Sequence, residues 1–109
     1  MDFFVLDNTN NYRVAKLRDE TGALVSDAIL TVEIREIDLE TKNTSQLPVA
    51  GLTWPLAFSS EGKGDYRVEL PEDLPLIENT QYLTVIEGNA NGRIFKETRD
   101  LYAIRRLTV

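Results

Sequence analysis

Paired carboxylates are the main catalytic chemistry open to this sequence of 109 residues, which contains no cysteine and no histidine. That composition excludes thiolate nucleophiles, zinc sites of the Cys/His type and triads with an imidazole base. A glycosidase needs two carboxyl groups that face each other across a sugar, in a cleft that raises the pKa of one of them. The candidate pairs are instead near neighbours in polar turn sequences: Asp19 with Glu20, Asp38 with Glu40, and Glu72 with Asp73. This pattern indicates solvated turns, and we expect the protein not to be an enzyme.

Two shorter motifs match known sites but are better explained as turns. Ser60 and Lys63 have the Ser-x-x-Lys spacing of some serine acyl-transfer enzymes, in which a helix holds both side chains on one face. Here Gly62 and Gly64 predict a turn instead. A second stretch offers oxygen ligands for Ca²⁺ but lacks the spacing and final glutamate of an EF-hand; its residues are Asp7, Asn8, Asn10 and Asn11. We therefore expect no cofactor and no metal ion.

Three aromatic residues raise the alternative of a carbohydrate-binding surface. Trp54, Tyr66 and Tyr82 would form a stacking platform for sugars if they were exposed. Each lies in an alternating apolar pattern, and alternate side chains of a strand point to the same face of a sheet. The alternation predicts that all three lie in the core, and a buried Trp54 would count against sugar binding.

The elements that must position these residues are short strands. In the stretch 49–58, Leu52, Trp54, Leu56 and Phe58 alternate and predict a strand with one large apolar ridge. Pro55 cannot donate to a β-ladder, so this strand is expected at a sheet edge or a bulge. The rest of the chain reads as further short strands that cover this ridge.

Turn signals recur at regular intervals along the chain, and no stretch has helical periodicity. Alternation is strict over 28–36 and 65–70, and Gly92 belongs to a hairpin turn. The pattern predicts an all-β fold with a single domain over residues 1–109. We expect an immunoglobulin-like or fibronectin-like antiparallel β-sandwich of about seven or eight strands. Residues 1–11 and 100–109 are each predicted to be an arm or an edge strand.

One local feature sharpens that prediction. Tyr82 begins a predicted strand shortly after Leu76, which resembles the tyrosine corner of such sandwiches, where the hydroxyl bonds to the backbone upstream. If Tyr82 points inward, alternation places Leu83 and Val85 on the outer face. Two apolar side chains on the outer face of one strand are consistent with a contact patch.

The formal net charge of −6 argues against nucleic acid as a partner, because binding to phosphates needs a basic face. The charge is unevenly distributed: residues 93–109 carry five cations and two acids, or +3, which leaves −9 for residues 1–92. This asymmetry fits either head-to-tail docking between copies or a solvated last hairpin. No window has the length of a membrane span, and the N-terminal residues lack the pattern of a signal peptide, so we expect no membrane partner.

Several stretches together resemble small immunoglobulin-like structural proteins of tailed bacteriophages, which are encoded with capsid, head–tail junction and tail genes. They comprise a D-x-x-G-x-x-V-x-D-A pattern over residues 19–28, Trp54-Pro55, a G-x-Y strand start at Gly64 and the strand from Tyr82. The resemblance covers roughly residues 12–99. It implies a non-enzymatic virion component, made in the host cytoplasm, that acts by protein–protein contact at the capsid or the head–tail junction.

The partners that this implies are other virion proteins (capsid, portal, neck or tail subunits) and further copies of the chain. The alternative is a carbohydrate- or receptor-binding accessory module of a phage tail. Deletion of residues 100–109 is expected to weaken assembly and to leave the core folded. The predicted contact residues are Phe3, Phe4, Leu83, Val85, Arg99, Arg105 and Arg106.

Overall fold

Two β-sheets packed face to face make up the computed structural model, which describes residues 2–6, 8–49, 51–90 and 92–105. The larger sheet has the order β1-β9-β8-β3-β4, with β5 also paired to β3, and the smaller has the order β2-β7-β6. None of the described segments forms a helix with the length and hydropathy needed to cross a membrane. The strands are β1 (Asp2–Val5), β2 (Asn10–Val14), β3 (Ile29–Ile37), β4 (Thr44–Gln46), β5 (Leu56–Ala57), β6 (Ser59–Gly62), β7 (Asp65–Leu70), β8 (Gln81–Ala90) and β9 (Arg93–Ile104).

The pairing confirms the predicted all-β sandwich. In the larger sheet β8 pairs antiparallel with both β3 and β9, and in the smaller sheet β7 pairs antiparallel with β2 and β6. One pair is parallel, because β1 lies beside the C-terminal half of β9.

The core lies between the inner faces of the two sheets and follows the alternation in the sequence. On β3 the buried positions alternate with half-buried or exposed ones, and the same alternation holds for β7 and for residues 81–84 at the start of β8. The inner-face side chains of these three strands are Leu30, Val32, Ile34, Tyr66, Val68, Leu70, Tyr82, Thr84 and Ile86. Their burial is the main hydrophobic stabilisation of the fold.

The tyrosine corner is present as predicted. Tyr82 is buried at the start of β8, and its hydroxyl accepts a hydrogen bond of 2.8 Å from the backbone N–H of Ile77. This bond anchors the connection between β7 and β8 to the end of the larger sheet, where the same feature lies in immunoglobulin-type sandwiches.

The predicted strand through Trp54 is wrong. Residues 51–55 form no strand, the Trp54–Pro55 peptide bond is cis, and only Leu56 and Ala57 pair with β3. Trp54 is nevertheless buried, and its indole N–H donates a 2.7 Å hydrogen bond to the backbone carbonyl of Leu47. The apolar side chains of this stretch reach the core from an irregular backbone, since Pro48 and Pro55 have no N–H for a β-ladder.

The two terminal segments belong to the sandwich. Residues 2–5 form an edge strand, as one of the two predictions stated, and not an arm. Residues 100–104 are neither an edge strand nor an arm, because β9 lies between β1 and β8. Leu101 and Ala103 are both 0% exposed in the core. The prediction that the core survives deletion of residues 100–109 is therefore corrected: the deletion removes part of an internal strand.

Candidate contact surface

The outer face of the larger sheet carries an apolar strip at the β1 edge. Phe3 of β1 lies opposite Tyr102 of β9, and their rings meet edge to face with centroids 6.4 Å apart. Val5 lies opposite Ile104, one step further along the same face. Phe3 is 57% exposed, so its ring is open to solvent at the edge of the sheet.

Leu83 extends this strip onto β8. It lies opposite Asp100, two residues from Tyr102 on the same face of β9, so Leu83 and Tyr102 are diagonal neighbours. We call the five residues Phe3, Val5, Leu83, Tyr102 and Ile104 the outer strip. Sequence reasoning found Phe3 and Leu83; it missed the other three, although their alternation with the buried Phe4, Leu101 and Ala103 was a usable signal.

Val85 and Phe4 are less accessible than predicted. Val85 lies on the outer face of β8, as alternation required, but it is only 7% exposed between Glu33 and Thr98 of the neighbouring strands. Phe4 points to the opposite face and is 0% exposed in the core. Phe4 is therefore not a contact residue of the folded domain, because adjacent residues of a strand face opposite sides of the sheet.

Arg99, another predicted contact residue, is bound within its own chain. Its guanidinium donates a 3.0 Å hydrogen bond to the backbone carbonyl of Arg13, lies 5.7 Å from the centre of the Tyr12 ring and pairs with Glu97. It joins the two sheets along one side of the sandwich. This role explains why its side chain is mostly buried.

A polar cluster beneath Arg99 ties β1 and β2 to the core. The Tyr12 hydroxyl lies 2.6 Å from the Thr84 hydroxyl and donates to the Asp2 carboxylate at 2.9 Å, while Thr84 donates to the carbonyl of Arg99 at 3.0 Å. Burial raises the pKa of Tyr12, so its phenol stays protonated. The cluster fixes the position of β1, and hence of Phe3 on the outer face.

The described part of the basic C-terminal segment, residues 93–105, has its cations paired with acidic residues. Each of the four described cations of residues 93–105 forms an ion pair with an acidic residue of the same chain: Arg93 with Glu20, Lys96 with Glu87, Arg99 with Glu97, and Arg105 with Glu78. Arg106 lies outside the described residues. Among the described residues the uneven charge along the sequence is thus partly compensated in space, and head-to-tail docking stays a prediction.

Arg105 lies at one end of the outer strip, directly after Ile104. Its Nε is 3.4 Å from a carboxylate oxygen of Glu78 in the connection between β7 and β8. The guanidinium is half exposed. Arg105 is therefore the one described arginine among the predicted contact residues that borders the apolar strip.

The candidate acidic pairs are arranged as turns. Asp19 and Glu20 line a groove of about 250 Å³ between residues 17–25 and the β8–β9 hairpin. Hydrogen bonds from the Thr21 hydroxyl and from backbone N–H groups lower the pKa of Asp19, whereas a general acid needs a raised pKa. Backbone N–H groups of Glu40 and Thr41 likewise lower the pKa of Asp38. Among the residues that the structure describes, no three acidic side chains are close enough together to hold a metal ion.

The residues considered for sugar binding, acyl transfer and calcium binding have structural roles instead. Trp54, Tyr66 and Tyr82 are all buried, so these residues offer no stacking platform for a sugar. Ser60 donates its hydroxyl to the carbonyl of Ser26, which holds β6 beside the residues before β3. Asn10, one of the proposed calcium ligands, has its amide bonded to the backbone of Val5.

Comparison of the chain with models of protein families, with curated proteins and with solved structures gave no match.

Proposed function

We propose that this protein is a non-enzymatic structural component of a tailed-phage virion, which acts by contact between its outer strip and another virion protein. The observation that carries the proposal is the exposed Phe3, which lies against Tyr102 beside three further apolar side chains on a single sheet face. An apolar patch of this kind on a small domain marks a binding surface. The resemblance of the sequence to small phage structural proteins supplies the class of partner.

The construction of the strip supports a role in rigid contact. It lies on three paired strands, and the cluster of Tyr12, Thr84 and Asp2 holds its edge strand in place from beneath. Side chains fixed on sheet strands lose little conformational entropy on binding. Aromatic residues in such a setting are the residue type that dominates binding energy in protein interfaces.

The proposed partners are capsid, portal, neck or tail subunits at the capsid surface or the head–tail junction. The strip is mainly apolar, with Asp100 and Arg105 at its margins, which matches the apolar centre and polar rim of protein interfaces. Since the cations of β9 are paired within the chain, we expect the contact to depend weakly on salt.

The test combines detection of the protein in purified virions with substitution of one residue of the strip. We expect the protein at a fixed stoichiometry in virions, and we expect Phe3→Asp to reduce that occupancy while the domain remains folded. The matched control is Leu39→Asp, since Leu39 is 78% exposed in the turn after β3 and does not belong to the strip. Absence of the wild-type protein from virions would refute the phage role. Equal occupancy of both variants would refute the role of the strip.

A further inference from the structure

Among the described strands, none pairs with the outward edge of β1, which has β9 as its one partner. In a parallel pair, alternate residues direct both N–H and C=O to the partner strand. The N–H of Leu6 donates to the carbonyl of Ile104 at 2.8 Å, which fixes that alternation. Phe4 and Leu6 therefore face β9, whereas Phe3 and Val5 direct their backbone groups away from the sheet.

The side chain of Asn10 binds the outward backbone N–H and carbonyl of Val5 on this edge. Its Oδ1 accepts a hydrogen bond from the N–H of Val5 at 3.0 Å, and its Nδ2 donates to the carbonyl of Val5 at 3.0 Å. These are the same two bonds that a residue of an added antiparallel strand makes with its hydrogen-bonded partner. Nδ2 also donates to the carbonyl of Asn8 at 2.9 Å, which holds the amide in place. Asn10 thus takes the place of one residue of an added strand.

The other described sheet edges are less suited to strand addition. β4 has three residues and β5 has two. β6 contains an irregularity between Ser60 and Gly62 that interrupts its register. On β2, the guanidinium of Arg99 covers the carbonyl of Arg13. β1 combines an apolar sequence with four residues of regular pairing. An edge strand of this kind can pair with a strand of another chain unless its outward backbone groups are covered.

We propose that the β1 edge is a self-association surface of this chain, which the side chain of Asn10 keeps closed in the monomer. The occupant is β1 of a second copy, added antiparallel about a two-fold axis. With the axis at Phe4, Phe3 of each copy pairs with Val5 of the other, and all four outward N–H groups and carbonyls of the two strands are satisfied in pairs. The two larger sheets then join into one continuous sheet, and the outer strips of both copies meet on one face. The inference does not depend on the proposed function.

The experiment is sedimentation velocity on the purified full chain across the micromolar range, with wild type, Asn10→Ala and Asn11→Ala. Asn11 is the matched control, since it is an exposed asparagine at the next position of β2. We expect Asn10→Ala to dimerise at a concentration at least about tenfold lower than wild type does, a factor corresponding to one or two net hydrogen bonds. Asn11→Ala should sediment as wild type does.

A second substitution locates the dimer interface. Phe3→Pro removes an outward N–H at the edge, where proline is tolerated in a strand. We expect the double variant Asn10→Ala/Phe3→Pro to be monomeric again. A folded Asn10→Ala that sediments as wild type would overturn the proposal, as would a dimer that Phe3→Pro leaves intact.

If Asn10→Ala does not fold, Asn10→Asp is the variant that tests whether Asn10 closes the β1 edge. Aspartate keeps the acceptor for the N–H of Val5 but loses the donor to its carbonyl, so we expect an intermediate dimerisation concentration. A folded Asn10→Asp that stays monomeric like wild type would overturn the proposal. Failure of Asn10→Asp to fold would also overturn it, because Asn10 would then be needed for folding itself.

Discussion

Gly88→Ala is the substitution whose effect follows most directly from the packing of the larger sheet. Gly88 lies on the inner face of β8, opposite Phe95 of β9. A Cβ at this position would overlap Cζ and Cε1 of Phe95 and lie 2.6 Å from Cδ2 of Leu30. Leu30 is fully buried, whereas Phe95 is near the hairpin and only partly buried. We therefore expect the Phe95 ring to be displaced towards solvent.

The cost can be worked out from this displacement. Expelling the ring re-exposes about 100 Å² of apolar surface, which costs about 2.5 kcal/mol at about 25 cal/mol per Å². Alanine gains back about 0.5–1 kcal/mol, because the unfolded chain loses less conformational freedom on folding than with glycine. The expected net loss in free energy of unfolding is about 1.5–2 kcal/mol, which lies in the usual range for overpacked cores.

The assay is urea unfolding followed by the fluorescence of Trp54, the sole tryptophan, which is buried in the folded state. Its control is the same substitution in a Phe95→Ala background. There the ring is absent and leaves room for Leu30 to move away from the new Cβ, so we expect Gly88→Ala to cost less than about 0.5 kcal/mol or to stabilise slightly. An equal loss in both backgrounds would refute the reasoning, since the loss would then come from the overlap with Leu30 and not from displacement of the Phe95 ring.

Three further substitutions test separate parts of the fold. Tyr82→Phe leaves the N–H of Ile77 without its acceptor, and we expect a loss of about 1–2 kcal/mol in urea unfolding; an unchanged midpoint would contradict the tyrosine corner. Trp54→Phe removes the donor to the buried carbonyl of Leu47, so we expect the free energy of unfolding, followed by far-UV circular dichroism, to fall by about 1–3 kcal/mol. A loss below about 0.5 kcal/mol would contradict the importance of this bond. The pKa of Asp19 is lowered in the folded state, so its ionised form contributes stability above its usual pKa of 3.8, and that contribution is lost as the pH falls through the lowered value. In Asp19→Asn we expect a smaller decrease of the urea midpoint than in wild type between pH 5 and pH 2, and parallel curves would contradict this role.

Features set by neighbouring residues could be predicted from the sequence. Tyr82 at the start of a strand, the alternation of β3 and β7, and the outward direction of Leu83 depend on the two-residue period of a strand and on adjacent turns. Both kinds of information are local, and the structure confirms these predictions.

The stretch around Trp54 shows where that reasoning fails. Leu52, Trp54, Leu56 and Phe58 all contact the core, so the alternation correctly predicted burial. It did not predict backbone pairing, which depends on N–H donors that Pro48 and Pro55 lack and on the space beside β3. Periodicity reports where side chains point, and an irregular segment can place alternate side chains in a core as well.

The contacts of the site could not be predicted from the sequence, because the residues that form them are distant from each other along the chain. Arg93 pairs with Glu20, and Arg99 bonds to the carbonyl of Arg13, so charges that looked like a basic tail are bound within the domain. The bonds between Asn10 and Val5 could not be foreseen either, since residues 7–11 look like any polar turn. Only the topology brings these groups together.

Chemical footprinting of the outer strip, on the free protein and on intact virions, tests the central claim most directly. We expect Phe3 and Tyr102 to be labelled severalfold less in virions than in the free protein, and Leu39 to be labelled equally in both. Labelling of Phe3 that does not change between the free protein and the virion would contradict the assignment of this face as the contact surface.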